Sequence, residues 1–297
     1  MKNKLKILIL KLVLFLILSI PPANCVEQIS ESDIYSFAEH LFSQKDYYRA
    51  ITEYKRLLFY FPKGKFTDDS KFKIAKSYQL GNKTSLAFNL FSDLEKEFEG
   101  KDLGLLADFE SIECFYRARD YQTALNSYFK FIEAKKYKNF VDMATYRIGL
   151  SNLHLKNTEK AKNYFDSIEE QSKLHGLASE MTEKTTEFEK LKRKSPFLAG
   201  LLSTVIPGAG QFYNGRVKDG IIALITNGLF IWGTYEAYKR EYYSIGIVTG
   251  VFAFGWYTGN IYGAVNGAHK YNRKKENTFF NSLKDRYEIL APNHDFY

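Results

Sequence analysis

The amino-acid sequence predicts an all-α protein in two parts, a solenoid of helical hairpins followed by a small α-helical membrane module. Three observations support this prediction. Small and aromatic residues recur at a period of 37 residues between about residues 32 and 170. Short polar segments separate the recurring stretches. Beyond residue 194 charged residues become sparse, and glycines and long apolar stretches take their place.

The 37-residue period defines helical hairpins that must stack on one another. Alanine occupies an anchoring position, an aromatic residue follows four residues later, and a large apolar residue follows seven residues later. The three columns are Ala50, Ala87, Ala124 and Ala161; Tyr54, Phe91, Tyr128 and Phe165; and Leu57, Leu94, Phe131 and Ile168. A small residue lets two helices approach closely, and an aromatic residue one turn later fills the space between them. A single hairpin cannot bury its apolar face alone, so neighbouring hairpins are expected to pack together.

Polar turns interrupt the period where hairpins require them. Residues 44–46, 81–83 and 119–120 are polar and are predicted to join the two helices of a hairpin. We therefore predict eight helices between residues 32 and 170, then a longer helix to about residue 194. Together these form a repeat domain of residues 26–190 with about four 37-residue units.

These columns resemble the tetratricopeptide repeat, whose signature places small residues, aromatic residues and a closing proline at matching offsets. The first unit matches best, with Ala38, Tyr47, Ala50, Tyr54 and Pro62. The unit is similar in particular to exported repeat proteins of the Tol–Pal coordinator type and of the outer-membrane-assembly lipoprotein type. The resemblance implies a tetratricopeptide-like helical-hairpin solenoid that binds a protein or peptide partner in the cell envelope.

The residues predicted to contact a partner lie on the first helix of each hairpin, which lines the concave face in tetratricopeptide proteins. An aromatic residue stands fifteen residues before each anchoring alanine, and two further aromatics and two cations lie nearby. The candidate binding residues are Tyr35, Phe72, Phe109, Tyr146, Phe42, Tyr116, Lys76 and Arg117. Such aromatics either form a groove for an extended or helical peptide or pack between successive first helices. The sequence leaves both interpretations open.

Residues 1–25 are predicted to be a secretory signal peptide. Lysines at positions 2, 4 and 6 precede an apolar run, residues 7–20, that ends at two prolines. Cleavage is expected after Cys25. Lipid attachment to Cys25 is the alternative, which Pro22 and Asn24 disfavour because lipid-attachment sites usually carry leucine and a small residue there. Export predicts a location at the bacterial inner membrane with the repeat domain in the periplasm.

Residues 195–275 are predicted to form the membrane module, followed by a C-terminal tail of residues 276–297. The module begins with a half-helix, residues 197–206, and continues with apolar spans at residues 220–238 and 243–268. The half-helix covers about 15 Å, half the thickness of a bilayer core. Its predicted break consists of Pro207, Gly208, Gly210 and Gln211. Residues 197–213 therefore either dip into the membrane and return or cross it.

The last predicted span carries a ladder of glycines. They are Gly246, Gly250, Gly255, Gly259, Gly263 and Gly267, mostly four residues apart. A glycine inside a helix costs about 1 kcal/mol relative to alanine, so six of them indicate close helix packing. In lipid such small residues allow helices to touch, either within the chain or between two copies, which would give a homo-oligomer.

This module resembles a small family of bacterial membrane domains with the core SPxLAGxLSxxxPGxGQxYxGR. The match covers residues 195–216 and continues at residues 259–273. The family has no established activity. The resemblance therefore implies a membrane domain and leaves the function open.

Composition and motifs argue against nucleic-acid binding and against enzyme chemistry. The chain has 42 Lys and Arg against 34 Asp and Glu, a net charge of +8, but the excess lies beside the apolar segments rather than on the repeats. The five histidines show no metal-ligand spacing. The glycines at positions 208 and 210 lack the flanking pattern of a phosphate-binding loop. We expect no nucleic acid, no catalytic residues, no metal and no cofactor.

The sequence thus predicts a non-enzymatic protein–protein interaction scaffold whose exported repeat domain recruits a protein partner to the inner membrane and its lipid bilayer. An accessory subunit of a membrane transporter or channel is the alternative, because broken helices and glycine-rich spans occur in transporters. The distribution of charge complicates the topology. If residues 197–213 return, ten cations lie on the side of the repeats, which opposes export under the positive-inside tendency.

Overall fold

The computed structural model describes residues 29–133 and 138–284, except for the side chains of residues 138, 139 and 284. This part of the chain is all-α, as predicted, and contains no strand. The helices are α1 (Glu31–Ser43), α2 (Tyr47–Tyr60), α3 (Thr67–Leu80), α4 (Thr84–Glu97), α5 (Asp102–Arg117), α6 (Tyr121–Glu133), α7 (Lys138–His154), α8 (Thr158–Asp166), α9 (His175–Glu189), α10 (Pro196–Val205), α11 (Ala209–Tyr213), α12 (Val217–Lys239) and α13 (Tyr243–Lys284). The predicted signal peptide and residues 285–297 of the predicted tail lie outside the described residues.

The chain forms two compact units, residues 1–120 and 121–297. Helices α1–α5 belong to the first unit and helices α6–α13 to the second. The second unit contains both the later repeats and the apolar C-terminal helices. The predicted domain boundary between residues 190 and 195 stays a prediction.

The anchoring columns form the centre of the repeats in both units. All four anchoring alanines have 0% exposure, and the aromatic residues four positions later have 0–1%. The small residue on the facing helix is equally constrained. A Cβ atom added to Gly149 would lie 2.5 Å from the ring of Phe165, so only glycine fits there without movement. The burial of these columns agrees with the predicted hairpin packing.

The predicted hairpin turns are present, and they share a backbone conformation that recurs with the same period. Lys45, Asn82, Arg119 and Lys156 are 37 residues apart, and each has a φ between 61° and 65°. Only the asparagine is a residue type that favours this left-handed region. The hydrogen bonds of each tight turn therefore fix this conformation against the preference of lysine and arginine.

The segment after α8 differs from the prediction of one longer helix. The chain turns between residues 167 and 174, where the Ser172 N–H donates to the Glu169 carbonyl at 2.9 Å and His175 Nδ1 lies 2.9 Å from the Ile168 carbonyl oxygen. Helix α9 then runs for only 15 residues. It packs against α8 as the next helix of the stack.

Helix α13 is longer than the predicted span of residues 243–268, because it continues to Lys284 as a single 42-residue helix. Its last turns lie on helices of the repeat region within the second unit. The rings of Phe279 and Phe188 are 5.1 Å apart, and those of Phe280 and His154 are stacked at 4.2 Å. Residues 276–284 of the predicted tail are therefore helical and packed.

Candidate partner-binding surface

Most of the predicted aromatic binding column lies in the protein interior. Phe72, Phe109 and Tyr146 have exposures of 8%, 0% and 0%. Phe72 packs on Phe91 with ring centroids 5.3 Å apart, and Tyr146 packs on Phe165 at 5.4 Å. These contacts match the core-packing interpretation. A partner could touch these three residues only after a helix had moved.

Tyr35 is the one member of the column that remains half-buried. Its ring stacks on Phe66 at 4.3 Å, and its hydroxyl donates to the carboxylate of Asp69 at the start of α3. Burial, reinforced by Asp69, raises the pKa of the Tyr35 hydroxyl above its ordinary value. The residue thus links the first helices of two consecutive hairpins.

Phe42 and Arg117 are accessible candidate residues. Each lies at the carboxyl end of the first helix of its hairpin. Phe42 is half-buried against the core of the first hairpin, and its ring meets Tyr47 edge-on at 5.7 Å. The ammonium of Lys73 lies 4.8 Å from the centre of the Phe42 ring. Arg117 is exposed at the end of α5. Both residues can meet a partner without rearrangement of the fold.

Tyr116 and Lys76, by contrast, are buried. The Lys76 ammonium lies 2.6 Å from a carboxylate oxygen of Glu110, which is itself fully buried. Burial lowers the pKa of Lys76, and the Glu110 carboxylate opposes this shift. The amide of Gln79 donates to the second oxygen of Glu110 at 2.9 Å. Lys76 therefore belongs to a buried polar cluster rather than to an open binding face.

The ion pairs between successive first helices form a pattern that we name the charge ladder. Lys73 pairs with Glu39 at 2.9 Å across α1 and α3, and Lys76 pairs with Glu110 across α3 and α5. The two pairs occupy the same repeat positions with opposite sign, because Glu39 and Lys76 are 37 residues apart, as are Lys73 and Glu110. The two columns continue as Glu39, Lys76 and Glu113, and as Lys73, Glu110 and Arg147. The alternation of charge at the 37-residue period is the sequence signal that indicates these pairs, and the columns of alanine and aromatic residues do not reveal it.

Cys114 adjoins this cluster and is shielded by it. Its sulfur lies 3.5 Å from the Gln79 amide nitrogen. Burial raises the pKa of the thiol to about 11, so the reactive thiolate is scarce at neutral pH. Within residues 29–133 and 138–284, no group of three or more His, Cys, Asp or Glu could hold a metal ion.

The predicted break after α10 has a packing function. Gly208 has a φ of +91°, and an added Cβ would lie 2.2 Å from the carbonyl oxygen of Gly220. An added Cβ on Gly210 would lie 2.0 Å from the carbonyl oxygen of Ala199. The chain can therefore turn tightly only because these residues lack side chains. Pro207 precedes this turn, at the point where α10 has ended.

Gln211 links three helices through buried hydrogen bonds. Its amide nitrogen donates to the carbonyl and side-chain oxygens of Asn260 at 2.9 and 2.7 Å. Its amide oxygen accepts from the hydroxyl of Ser203 at 3.0 Å. Asn214 adds a bond of 2.7 Å to the Ala264 carbonyl. These contacts hold α10 and α11 against α13.

Residues 196–213 return to their starting point. The Ser195 N–H donates to the hydroxyl oxygen of Tyr213 at 3.0 Å, so the two ends of the segment are neighbours. Lys194 lies beside the same ring, with its ammonium 4.6 Å from the centre of the Tyr213 ring. The segment therefore folds back on itself, whereas the two alternatives of dipping into a membrane and crossing it stay predictions.

The glycine ladder does not present one continuous packing face. Cβ atoms added to Gly246, Gly250, Gly263 and Gly267 would all meet atoms of neighbouring helices or turns within 4 Å. Those added to Gly255 and Gly259 would meet none. The step of five residues between Gly250 and Gly255 turns Gly255 and Gly259 away from the neighbouring helices. Self-association through this ladder stays a prediction.

Helices α12 and α13 expose a large apolar surface, which we name the apolar hairpin (residues 220–262). Its exposed side chains include Ile222, Leu229, Trp232, Val251, Phe252, Phe254, Trp256 and Tyr262. No helix in the described part of the chain is both long enough and apolar enough to cross a membrane. The predicted spans at residues 220–238 and 243–268 are thus not supported, because threonine, glycine and asparagine lower their mean hydropathy.

Comparison with known proteins supports the repeat assignment. A tetratricopeptide repeat family model matches residues 143–172, which contain the anchoring Ala161 of the fourth unit. The chain therefore contains a tetratricopeptide repeat, and such repeats indicate a protein–protein interaction scaffold. An uncharacterized protein of Methanocaldococcus jannaschii is 55% identical over 51 residues, which make up 16% of this chain and 52% of that protein. The chain thus spans about half the length of this curated relative.

The buried pair of Lys76 and Glu110 generates a test of the charge ladder. Lys76→Met should leave a buried carboxylate without its cation and lower the free energy of unfolding by about 3–5 kcal/mol. Lys76→Met combined with Glu110→Leu should recover most of this loss, because both charges are removed together. Lys71→Met, at the more exposed pair with Glu97, should cost about 0–1 kcal/mol. Denaturant unfolding of wild type and the three variants measures these free energies. An equal loss of stability in Lys76→Met and in the double variant would contradict the prediction.

Proposed function

We propose that the protein is a non-enzymatic scaffold that holds a partner-binding repeat stack at a lipid bilayer, the inner membrane of a bacterial envelope. The observation that carries this proposal is the inverted polarity of the C-terminal helices. Ser203, Gln211 and Asn260 are buried between them, whereas large apolar side chains face outward. Proteins in water show the opposite arrangement, and exposed apolar patches larger than a few hundred Å² mark interaction surfaces.

Three threonines and one asparagine within the apolar hairpin form internal hydrogen bonds that suit an environment without water. Thr234, Thr249 and Thr258 donate to carbonyl oxygens one turn earlier in their own helices, at 2.8, 2.9 and 3.0 Å. The Asn227 amide donates to the Ala223 carbonyl at 2.7 Å. In hydrocarbon an unpaired donor is costly, so internal bonds of this kind are needed there. This supports lipid as the medium that covers the hairpin.

Contacts in the second unit join the apolar hairpin firmly to the last repeats. Glu276 on α13 accepts from Lys156 at 2.9 Å and from Arg193 at 3.3 Å. Asn272 bonds to both the N–H and the carbonyl of Lys194 at 2.7 and 2.8 Å. A hairpin seated in a bilayer would therefore fix the later repeats close to its surface. The alternative of a transporter or channel subunit gains no specific support from these contacts.

Lipid contact can be read from intrinsic fluorescence, because the chain contains only two tryptophans. Trp232 and Trp256 both lie on the apolar hairpin and are 63% and 51% exposed. In vesicles whose acyl chains carry bromine, which quenches tryptophan on contact, we expect strong quenching of the full chain. Trp232→Phe and Trp256→Phe variants should each retain quenching of the remaining indole. Emission that is unchanged by brominated lipid, yet quenched by acrylamide, would exclude lipid contact.

The partner is expected to bind at the carboxyl ends of the first helices, where Phe42 and Arg117 are accessible. Phe42→Ala should cost about 1–2 kcal/mol of stability, because the ring is half-buried, and should weaken partner binding. Tyr116→Ala should instead cost roughly 3–5 kcal/mol through loss of a core ring. A photo-crosslinking residue placed at Arg117 in cells tests the surface, with the same residue at exposed Lys63 as the control. Equal crosslinking from both positions, or none from Arg117, would contradict the proposed surface.

We further propose that the repeat domain faces the periplasm, on the basis of the signal-like N-terminus. Because α13 returns to the repeats, Lys274 marks their side of the membrane. A Lys274→Cys variant should react with a membrane-impermeant maleimide in spheroplasts. Buried Cys114 serves as an internal control for background, since its thiol is shielded. Reaction only after permeabilisation would place the repeats in the cytoplasm, as the positive-inside tendency favours.

A further inference from the structure

Cations from three separate segments collect at one end of the apolar hairpin, and we name this cluster the cationic rim. It consists of Lys192, Lys194, Arg216, Lys218, Lys270, Arg273, Lys274 and Lys275. Three contacts bring the segments together. The Lys194 N–H donates to Asn272 at 2.7 Å, the Ser195 N–H donates to Tyr213, and Arg216 reaches the Gly263 carbonyl at 3.4 Å.

Acidic residues neutralise little of this charge. Asp219 is held by Arg216 at 2.7 Å, and Glu276 is shared by Lys156 and Arg193. Among the described residues, the exposed Lys270, Arg273 and Lys274 form no ion pair. The opposite end of the hairpin is balanced, because Lys239 and Arg240 stand beside Glu236 and Glu241. Of the two ends of the described hairpin, the rim end carries the net positive charge.

The rim directly adjoins exposed apolar side chains. Phe197 and Tyr262 are 78% and 71% exposed. Phe197 lies on α10, just after Lys194, and Tyr262 lies two turns before Lys270 on α13. Lys194 lies 5.7 Å and Lys275 lies 5.9 Å from the centre of the Tyr271 ring. Tyrosines with cations above an apolar belt are typical of the level where lipid headgroups lie. One ligand that meets both surfaces needs an anionic group joined to hydrocarbon.

We propose that the cationic rim binds the headgroups of anionic phospholipids in the bilayer that covers the apolar hairpin. This inference rests on the proposed lipid anchorage and adds its headgroup selectivity. An acidic protein would satisfy the cations and leave the adjoining apolar surface uncovered. An anionic phospholipid satisfies both, with its phosphate at Lys270, Arg273 and Lys274 and its acyl chains beside Phe197 and Tyr262.

Vesicle titration of the full chain, diluted from detergent and followed by tryptophan emission, tests the rim. The vesicles contain phosphatidylcholine alone or phosphatidylcholine with phosphatidylglycerol. A cation near an anionic surface strengthens binding about fivefold, so three should give a preference on the order of 100-fold for the anionic vesicles. High salt should reduce this preference, whereas inorganic phosphate at matched ionic strength should compete no better than chloride.

Neutralising the three rim cations placed at the lipid phosphate should remove most of the preference and leave apolar binding intact. The test variant is Lys270→Gln, Arg273→Gln and Lys274→Gln, and the matched control is Lys63→Gln, Lys83→Gln and Lys96→Gln on exposed repeat positions. We expect the affinity of the rim variant for anionic vesicles to fall by about 100-fold, while its affinity for phosphatidylcholine vesicles should equal that of wild type. The control should keep the preference. Equal binding of wild type to both vesicle types would overturn the rim while leaving lipid anchorage in place, and binding to neither would overturn both.

Discussion

The close approach of helices at buried alanines is the constraint on which the repeat architecture depends. Ala50, Ala87, Ala124 and Ala161 have no exposed surface, and each is followed by a buried aromatic ring. A larger side chain at such a position would separate two helices, since a well-packed core cannot absorb added volume cheaply. The tight turns are compatible with this constraint. Two helices this close can be joined by a short connection, and a left-handed residue recurs in it every 37 residues.

The charge ladder specifies which first helices lie next to each other. The apolar columns alone are the same in every hairpin and would not do so. Each hairpin offers the same alanine and aromatic residues, so the columns do not distinguish one neighbour from another. Lys73 and Glu110 occupy the same repeat position with opposite charges, and each pairs with an opposite charge on the preceding first helix. Misaligned first helices would bury like charges together, which is costly at low dielectric. Buried ion pairs contribute little net stability, and their best-attested role is this kind of specification.

Much of the repeat fold could be predicted from the sequence because its signals are periodic, whereas the accessible surface could not. The eight helices and their turns could be predicted because alanine, aromatic and apolar residues recur at fixed positions every 37 residues. Phe72 and Phe42 show the limit of this reasoning. Both are aromatic residues on first helices, and only packing across helices decides that Phe72 is buried while Phe42 is half-exposed. The continuation of α13 to Lys284 could not be predicted for a similar reason. Its polar residues are typical of a tail, and only its contacts with the repeats explain why it is helical.

The C-terminal helices show how a polar interior and an apolar exterior can follow from one break in the chain. Gly208 and Gly210 allow α11 to fold back onto α10, and this turn directs Gln211 inward to Asn260. Once the amides and hydroxyls of the segment bond to one another, the apolar side chains have no interior left to fill and face outward. In water such a surface would be a liability, but in lipid each apolar side chain is already in its preferred medium. In the proposed bilayer, the cations of residues 270–275 on α13 would lie at the level where hydrocarbon gives way to headgroups. The outward apolar side chains of α12 and α13 and the position of the cationic rim thus support the same proposed boundary between hydrocarbon and headgroups.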